Sequence, residues 1–189
     1  MNDSLFQKWP KIPRLENEVF YITEKIDGTN GCIVIHNYSE DFSNKNYIYI
    51  DPTYTYAVAA QSRTKLISPE NDNHGFAKWV QGNAEQLIKN LGVGYHYGEW
   101  WGKGIQRGYG LDHKRFSLFN PNKQSEVCYN VPYILEENIR FLSKSIEDCK
   151  ERLIEHGSFA APGYMKPEGL VIYAERAKCY WKVLIDKHE

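Results

Sequence analysis

Between Val19 and Ile35 the apolar residues fall into two runs, VFYIT and GCIVI, separated by the Asp27-Gly28 turn signal. That pattern predicts two strands joined by a turn. Lys25 stands at their junction. Further runs with strand character are YIYI (47–50), YAVAA (56–60), YHYGEW (95–100), RFSLF (115–119), LVIY (170–173) and CYWKVLI (179–185); β-branched and aromatic residues dominate them. Two segments repeat at helical spacing instead. Phe76, Trp79, Val80, Leu87, Ile88 and Leu91 share one face, as do Ile139, Leu142, Ile146, Cys149 and Leu153, with Gly92 and Gly157 as stop signals. Strands outnumber helices and do not alternate with them regularly. The expected fold class is α+β, with mixed, mainly antiparallel sheets and flanking helices, and not a doubly wound α/β sheet.

A chain of 189 residues has room for one sizeable core but not for two ordinary domains. It carries no internal repeat, low-complexity tract or interdomain linker, so one domain over residues 1–189 is expected. No apolar run approaches the roughly 18 residues of a membrane span, and the start, MNDSLFQKWPKIPRL, lacks the apolar centre of a signal peptide. A cytoplasmic protein with no membrane partner follows as the expectation. Cys32, Cys128, Cys149 and Cys179 are far apart and form no CxxC, which predicts free thiols and no structural zinc. The net charge of −1 argues against indiscriminate nucleic-acid binding, which depends on neutralising phosphates. A local patch is required instead. The stretch holding Lys103, Arg107, Lys114 and Arg115, interleaved with Tyr109 and Phe116, is the candidate, set against a merely solvated loop.

The sharpest chemical feature is Glu24-Lys25-Ile26-Asp27-Gly28-Thr29-Asn30, a lysine just before a turn with a carboxylate and an amide close behind. A lysine amine is ordinarily protonated at neutral pH, with a pKa of ~10.4. Nucleophilic use of Lys25 therefore requires nearby cations or burial, and Lys182 and a bound metal are the candidate cations. No GxxxxGK[ST] occurs, and the glycines at 92, 94 and 98 and at 102, 104 and 108 do not fit GxGxxG. A nucleotide would be held without a P-loop.

Lys25-Ile26-Asp27-Gly28 resembles motif I of the covalent nucleotidyltransferases, which include DNA ligases, RNA ligases and mRNA-capping enzymes. The other motifs appear in order. Tyr97-Gly98-Glu99-Trp100-Trp101-Gly102 resembles motif III in its RNA-ligase form, which implies that Glu99 contacts the AMP ribose. Arg115-Phe116-Ser117-Leu118-Phe119-Asn120 resembles motif IIIa, which implies adenine stacking by Phe119. Pro167-Glu168-Gly169-Leu170-Val171-Ile172 resembles motif IV, which puts Glu168 on the metal and phosphates. Cys179-Tyr180-Trp181-Lys182-Val183 resembles motif V, where the family has KxK. Lys182 takes the α-phosphate role, and Tyr180 stands where the first lysine is usual, so that either Lys178 substitutes or one lysine suffices. Arg63 matches the motif Ia arginine that touches the RNA 5′-phosphate, and Asn30 matches an asparagine position of the RNA-ligase branch.

The stretches KIPRL, EKIDGTN, DNHGFA, GEWWGKGIQ and APGYMKPEGLVIY are most similar to phage-encoded RNA ligases that seal nicked duplex RNA. The resemblance implies a single adenylyltransferase domain, with ATP and Mg2+ as cofactors and RNA bearing 5′-phosphate and 3′-hydroxyl ends as partner, acting as a monomer. It implies Lys25, Asp27, Glu168 and Lys182 as catalytic residues, Glu24, Asn30, Glu99, Phe119 and Lys182 as nucleotide-binding residues, and Asp27 and Glu168 at the metal. Family ligases usually continue past motif V into a second domain, whereas this sequence runs seven residues beyond Lys182; no OB-like or other C-terminal domain is expected. A minimal ligase is favoured over one that relies on a partner or one with a different acceptor. The competing readings are a DNA ligase, another lysine-AMP adenylyltransferase, and an inactive nucleic-acid-binding module of the same fold. Taken singly, Phe119 as core, Glu99 and Glu168 as strand-end carboxylates and Lys182 as a snorkelling strand lysine are ordinary alternatives. The shared order of the motifs decides against them.

Overall fold

The alternation in VFYITEK becomes a strand that buries Phe20, Ile22 and Glu24 on one face and turns Tyr21, Thr23 and Lys25 to the other. The computed structural model describes residues 8–12, 14–39 and 46–185. Among these, the first half of the chain forms β1 (Val19–Lys25), β2 (Thr29–Asn37), β3 (Tyr49–Ile50), β4 (Tyr56–Ser62), β5 (Leu66–Ile67), α1 (Phe76–Gly82) and α2 (Ala84–Leu91). The second half forms β6 (Gly94–Gly102), β7 (Lys114–Leu118), β8 (Tyr129–Asn130), β9 (Tyr133–Asn138), α3 (Leu142–His156), β10 (Gly169–Ala174) and β11 (Cys179–Leu184).

The strands make two sheets. One has four strands in the order β11-β10-β1-β9, all antiparallel. The other runs β3-β4-β2-β6-β7-β8, with β5 paired to β4 and only the β7–β8 pair parallel. The expected α+β class with mainly antiparallel sheets is what the chain adopts. Helices α1 and α2 cover one face of the larger sheet through Ile33, Ile35, Val58, Phe76, Val80, Leu87, Leu91 and Phe116. Helix α3 covers the smaller sheet through Cys149 and Leu153 against Ile22, Leu170 and Ile172. A third cluster, Ile26, Trp101, Tyr109, Val131 and Ala161, lies where the chain passes from one sheet to the other.

Several local details depart from the sequence pattern. The apolar face from Phe76 to Leu91 is carried by two helices, not one, broken at Asn83 (φ −113°, ψ 11°). The Asn83 side chain donates to the Trp79 carbonyl at 2.8 Å, the local bond by which asparagine competes with helix continuation. Gly92 (φ +69°) and Gly157 (φ +78°) follow the last turns of α2 and α3 as helix stops. Ile139 precedes α3 yet packs into the same cluster. The YIYI run pairs only over Tyr49–Ile50. Strand β9 has no clean alternation, because Ile134 and Leu135 are consecutive and its register against β1 shifts at Ile22/Thr23. All four cysteines are free thiols. No helix among the described residues is long and apolar enough to cross a membrane.

Glu24 fastens the region before β10 to β1. Its carboxylate is 1% exposed and accepts from Ser158 Oγ at 2.6 Å, from the Phe159 N–H at 2.8 Å and from the Ala160 N–H at 2.9 Å. Burial raises its pKa, and these three bonds pull the other way. Removing the acceptor strands two backbone donors and a hydroxyl away from water. Glu24→Ala is expected to lower the unfolding free energy by roughly 3 kcal/mol, read as a lower denaturant midpoint at unchanged slope.

Candidate active site

Ile26 is buried in the junction cluster, and anchoring it there leaves its neighbours Lys25 and Asp27 at the sheet junction. The turn after them lies hard against β6. A Cβ on Gly28 would stand 2.5 Å from the Trp100 carbonyl oxygen and 2.8 Å from Trp101 Cβ, so the glycine is required by close approach. The Asp27 N–H donates to the Tyr109 hydroxyl at 2.8 Å. Tyr109 itself is held at φ +53°, a left-handed conformation that costs a bulky residue ~1–3 kcal/mol. Its ring packs on Trp101 and Tyr164.

Antiparallel pairing of β1 with β10 sets Lys25 opposite Gly169, and the residue before that glycine is Glu168. Lys25 Nζ lies 2.7 Å from Glu168 Oε2. Pairing of β2 with β6 sets Asn30 opposite Glu99, and Asn30 Nδ2 donates to Glu99 Oε2 at 3.1 Å. Asp27 Oδ2 accepts from Arg107 Nε at 3.1 Å, while Arg107 Nη1 donates to the Lys166 carbonyl at 3.0 Å. Arg107 thus ties the turn after the lysine to the segment that presents Glu168.

Glu99 is the electrostatic outlier. Burial pushes its carboxyl from the usual 4.5 up to about 7; the Lys25 charge opposes this, while Glu168 and Asp27 add to it. Three carboxylates therefore feel one another around one ammonium. Among the described residues no three His, Cys, Asp or Glu side chains are grouped as a metal cage. Magnesium does not need one, since it binds through one or two carboxylates, its own waters and substrate phosphates. Asp27 and Glu168 fit that manner of binding.

The structure thus brings together Lys25, Asp27, Asn30, Glu99 and Glu168. Phe119 follows β7, in which Ser117 pairs with Glu99; its N–H donates to the Tyr97 carbonyl at 3.0 Å. Continued alternation puts its ring, 41% exposed, on the Glu99 side of the sheet. Arg63 is exposed just beyond Ser62, which pairs with Gly31, at the same sheet end as Asn30. Lys182 pairs with Val171 and shares the sheet face of Lys25. Lys178 lies in the β10–β11 turn, six residues from Leu184, the partner of Gly169. That is ~20 Å along the strand, too far for it to stand in for a lysine at 180.

Two settings differ from what the sequence suggests. The side chain of Glu24, a residue read as nucleotide-binding, points to the opposite face from Lys25, and both its oxygens are engaged by the 158–160 segment. That carboxylate is a structural fastener. The basic stretch is mostly not a free patch: Arg107 is bound to Asp27, Lys114 Nζ donates to the His74 carbonyl at 2.6 Å, and Arg115 lies 4.8 Å over the Tyr129 ring and bonds His113. Sequence reasoning missed Arg107 and Tyr109 as supports of the site. Their signal, a cation and an aromatic among glycines, looked like part of a nucleic-acid patch.

Among curated proteins, none matches the chain in sequence. Solved structures do match. A variant of Naegleria gruberi RNA ligase with AMP and Mn is 18% identical, with a TM-score of 0.59 over 92% of this chain and 53% of that one. An apo variant of the same ligase is 17% identical, with a TM-score of 0.57 over 92% and 52%. A variant with ATP and Mn is 15% identical, with a TM-score of 0.55 over 92% and 53%. The likeness is one of fold, and the chain spans about half the length of these structures. The sequence model of the RNA ligase family matches residues 18–184, from the residue before β1 through the end of β11, and the chain belongs to the RNA ligase family.

Proposed function

We propose that the chain is an ATP-dependent RNA ligase that carries AMP on Lys25 and joins an RNA 5′-phosphate to a 3′-hydroxyl. The observation that carries this reading is the 2.7 Å approach of Lys25 to Glu168, with Glu99 and Asp27 in electrostatic reach. Family membership supports it, as do the Naegleria structures that hold AMP or ATP with manganese in the same fold.

In the first step Lys25 Nζ, as the neutral amine, attacks the α-phosphorus of ATP. The N–P bond forms as the bond to pyrophosphate breaks, and the proton lost from Nζ has Glu168 Oε2 2.7 Å away. That is within proton-transfer reach. Lys182 offers positive charge to the same phosphate, Glu99 accepts from the ribose, and Phe119 stacks on adenine, which needs no base-specific bond. Asp27 and Glu168 would hold a magnesium ion, which would supply charge stabilisation on the phosphates. In the second step the RNA 5′-phosphate, positioned by Arg63, displaces Lys25 from AMP. In the third the 3′-hydroxyl displaces AMP and closes the phosphodiester. Phosphoryl transfer of this kind rests on alignment and charge.

The reading is tested by intact mass after incubation with ATP and magnesium, followed by nicked RNA or nicked DNA. The wild type is expected to gain one AMP, Lys25→Ala none, and RNA to discharge the adduct. An unmodified wild type contradicts the reading, and discharge by DNA alone moves it to a DNA ligase. Arg107→Ala frees Asp27 and the Glu168 segment, so the adduct should form roughly 10- to 100-fold more slowly, measured by quenched flow.

Glu99 adds a pH signature. Its folded pKa is raised, so the folded state holds the proton more tightly than the unfolded chain. Stability should fall as pH rises from about 4.5 to about 7 and change no further above. Glu99→Gln removes that slope. Its stability relative to wild type should grow by on the order of 3 kcal/mol across the window, measured by denaturant unfolding at each pH.

A further inference from the structure

Four tyrosines stand in a row across the face of the smaller sheet that α3 leaves uncovered. Tyr21 pairs with Tyr173, and Tyr173 with Tyr180. The ring centroids are 6.3 and 4.5 Å apart, with planes 28° and 27° from parallel. Tyr133 ends the row 6.4 Å from Tyr21. None of the four belongs to the core beneath α3. The outermost, Tyr180, is 67% exposed on the edge strand β11, so one ring face is left for a further planar group while Tyr173 and Tyr21 back the other.

The row is continuous with the site. Lys25 and Lys182 project from the same face, two strand positions or four from the tyrosines. Tyr180 is four residues from Leu184, the partner of Gly169 opposite Lys25, which is ~13 Å along the strand and two spacings of ~4.8 Å across it, ~16 Å in all. A stacked nucleic-acid strand advances ~3.4 Å per nucleotide, so that distance is about five nucleotides. Charge divides the face. Burial first, and then the charges of Glu175 and Glu136, raise the Tyr21 pKa, whereas the lysines lie toward the other end. Phosphates are drawn to the lysines and away from the carboxylates; bases stack on rings without needing charge.

We propose that this tyrosine row is a stacking platform for unpaired nucleotides of the 5′-phosphorylated RNA strand, and that a base about five nucleotides from the phosphate stacks on Tyr180. The inference rests on the ligase reading and adds to its substrates a strand unpaired beside its 5′ end, since a base held in a duplex has no free face to offer. It also gives Tyr180, which replaces a lysine of the family pattern, a function of its own.

The test compares wild type, Tyr180→Ala and Tyr180→Phe for binding of 5′-phosphorylated single-stranded RNA carrying 2-aminopurine about five nucleotides from the phosphate, and of a nicked RNA duplex. Tyr180→Ala is expected to weaken single-strand binding roughly 5- to 100-fold and to abolish fluorescence quenching of the probe, with Tyr180→Phe and the nicked duplex unaffected. Unchanged single-strand binding overturns the proposal, as does equal weakening for the two RNAs. Adduct formation from ATP, followed in the same samples, reports on the ligase reading separately. Its absence in wild type sinks that reading, whereas its slowing in Tyr180→Ala in step with RNA binding makes Tyr180 a nucleotide-site residue and overturns the platform.

Discussion

The antiparallel register of β1 against β10 is the constraint on which the rest depends. It places Lys25 opposite Gly169 and so brings Glu168, one residue earlier, to 2.7 Å from the amine. A slip of one residue would turn Lys25 into the face covered by α3 and bring Glu24 out in its place. Three features hold the register. Phe20 and Ile22 are committed to the core under α3, Glu24 is bonded to the 158–160 segment, and Gly169 has no room for a side chain, since a Cβ there would lie 2.1 Å from the Val183 carbonyl oxygen.

Within three residues of Lys25 the chain leaves one sheet and enters the other. Because Ile26 is buried at that crossing and Gly28 lies against β6, the lysine of the smaller sheet and Glu99 of the larger one share an electrostatic neighbourhood. The cost of that arrangement appears on Glu99, whose carboxyl is buried near two others. Its raised pKa is the kind of perturbation that accompanies a site built for a ligand and not for stability. A bound nucleotide and cation would add donors and positive charge to those that Asn30 and Lys25 already supply there.

Much of this was legible in the sequence. The strands of alternating pattern, Gly92 and Gly157 as helix stops, and the gathering of Lys25, Asp27, Asn30, Glu99 and Glu168 are all where pattern and motif order put them. What escaped has physical reasons. Strand β9 hides because it edges the sheet with adjacent apolar residues and a register shift. The helix break at Asn83 hides because the apolar face continues across it. Glu24 looked like a companion of Lys25 because a sequence shows adjacency, while a strand sends adjacent side chains to opposite faces. Arg107 and Arg115 looked like a phosphate-binding surface because their partners, Asp27 and Tyr129, are brought to them only by folding.

The central claim is that Lys25 passes AMP onward to an RNA end. The direct measurement is a single turnover: the protein loaded with AMP, freed of ATP, mixed with 5′-phosphorylated RNA and a 3′-hydroxyl partner, and followed on a gel for adenylylated and joined RNA. The account predicts that the protein-bound AMP disappears as adenylylated RNA rises and then gives way to joined product. An adduct that persists beside intact RNA ends would contradict it.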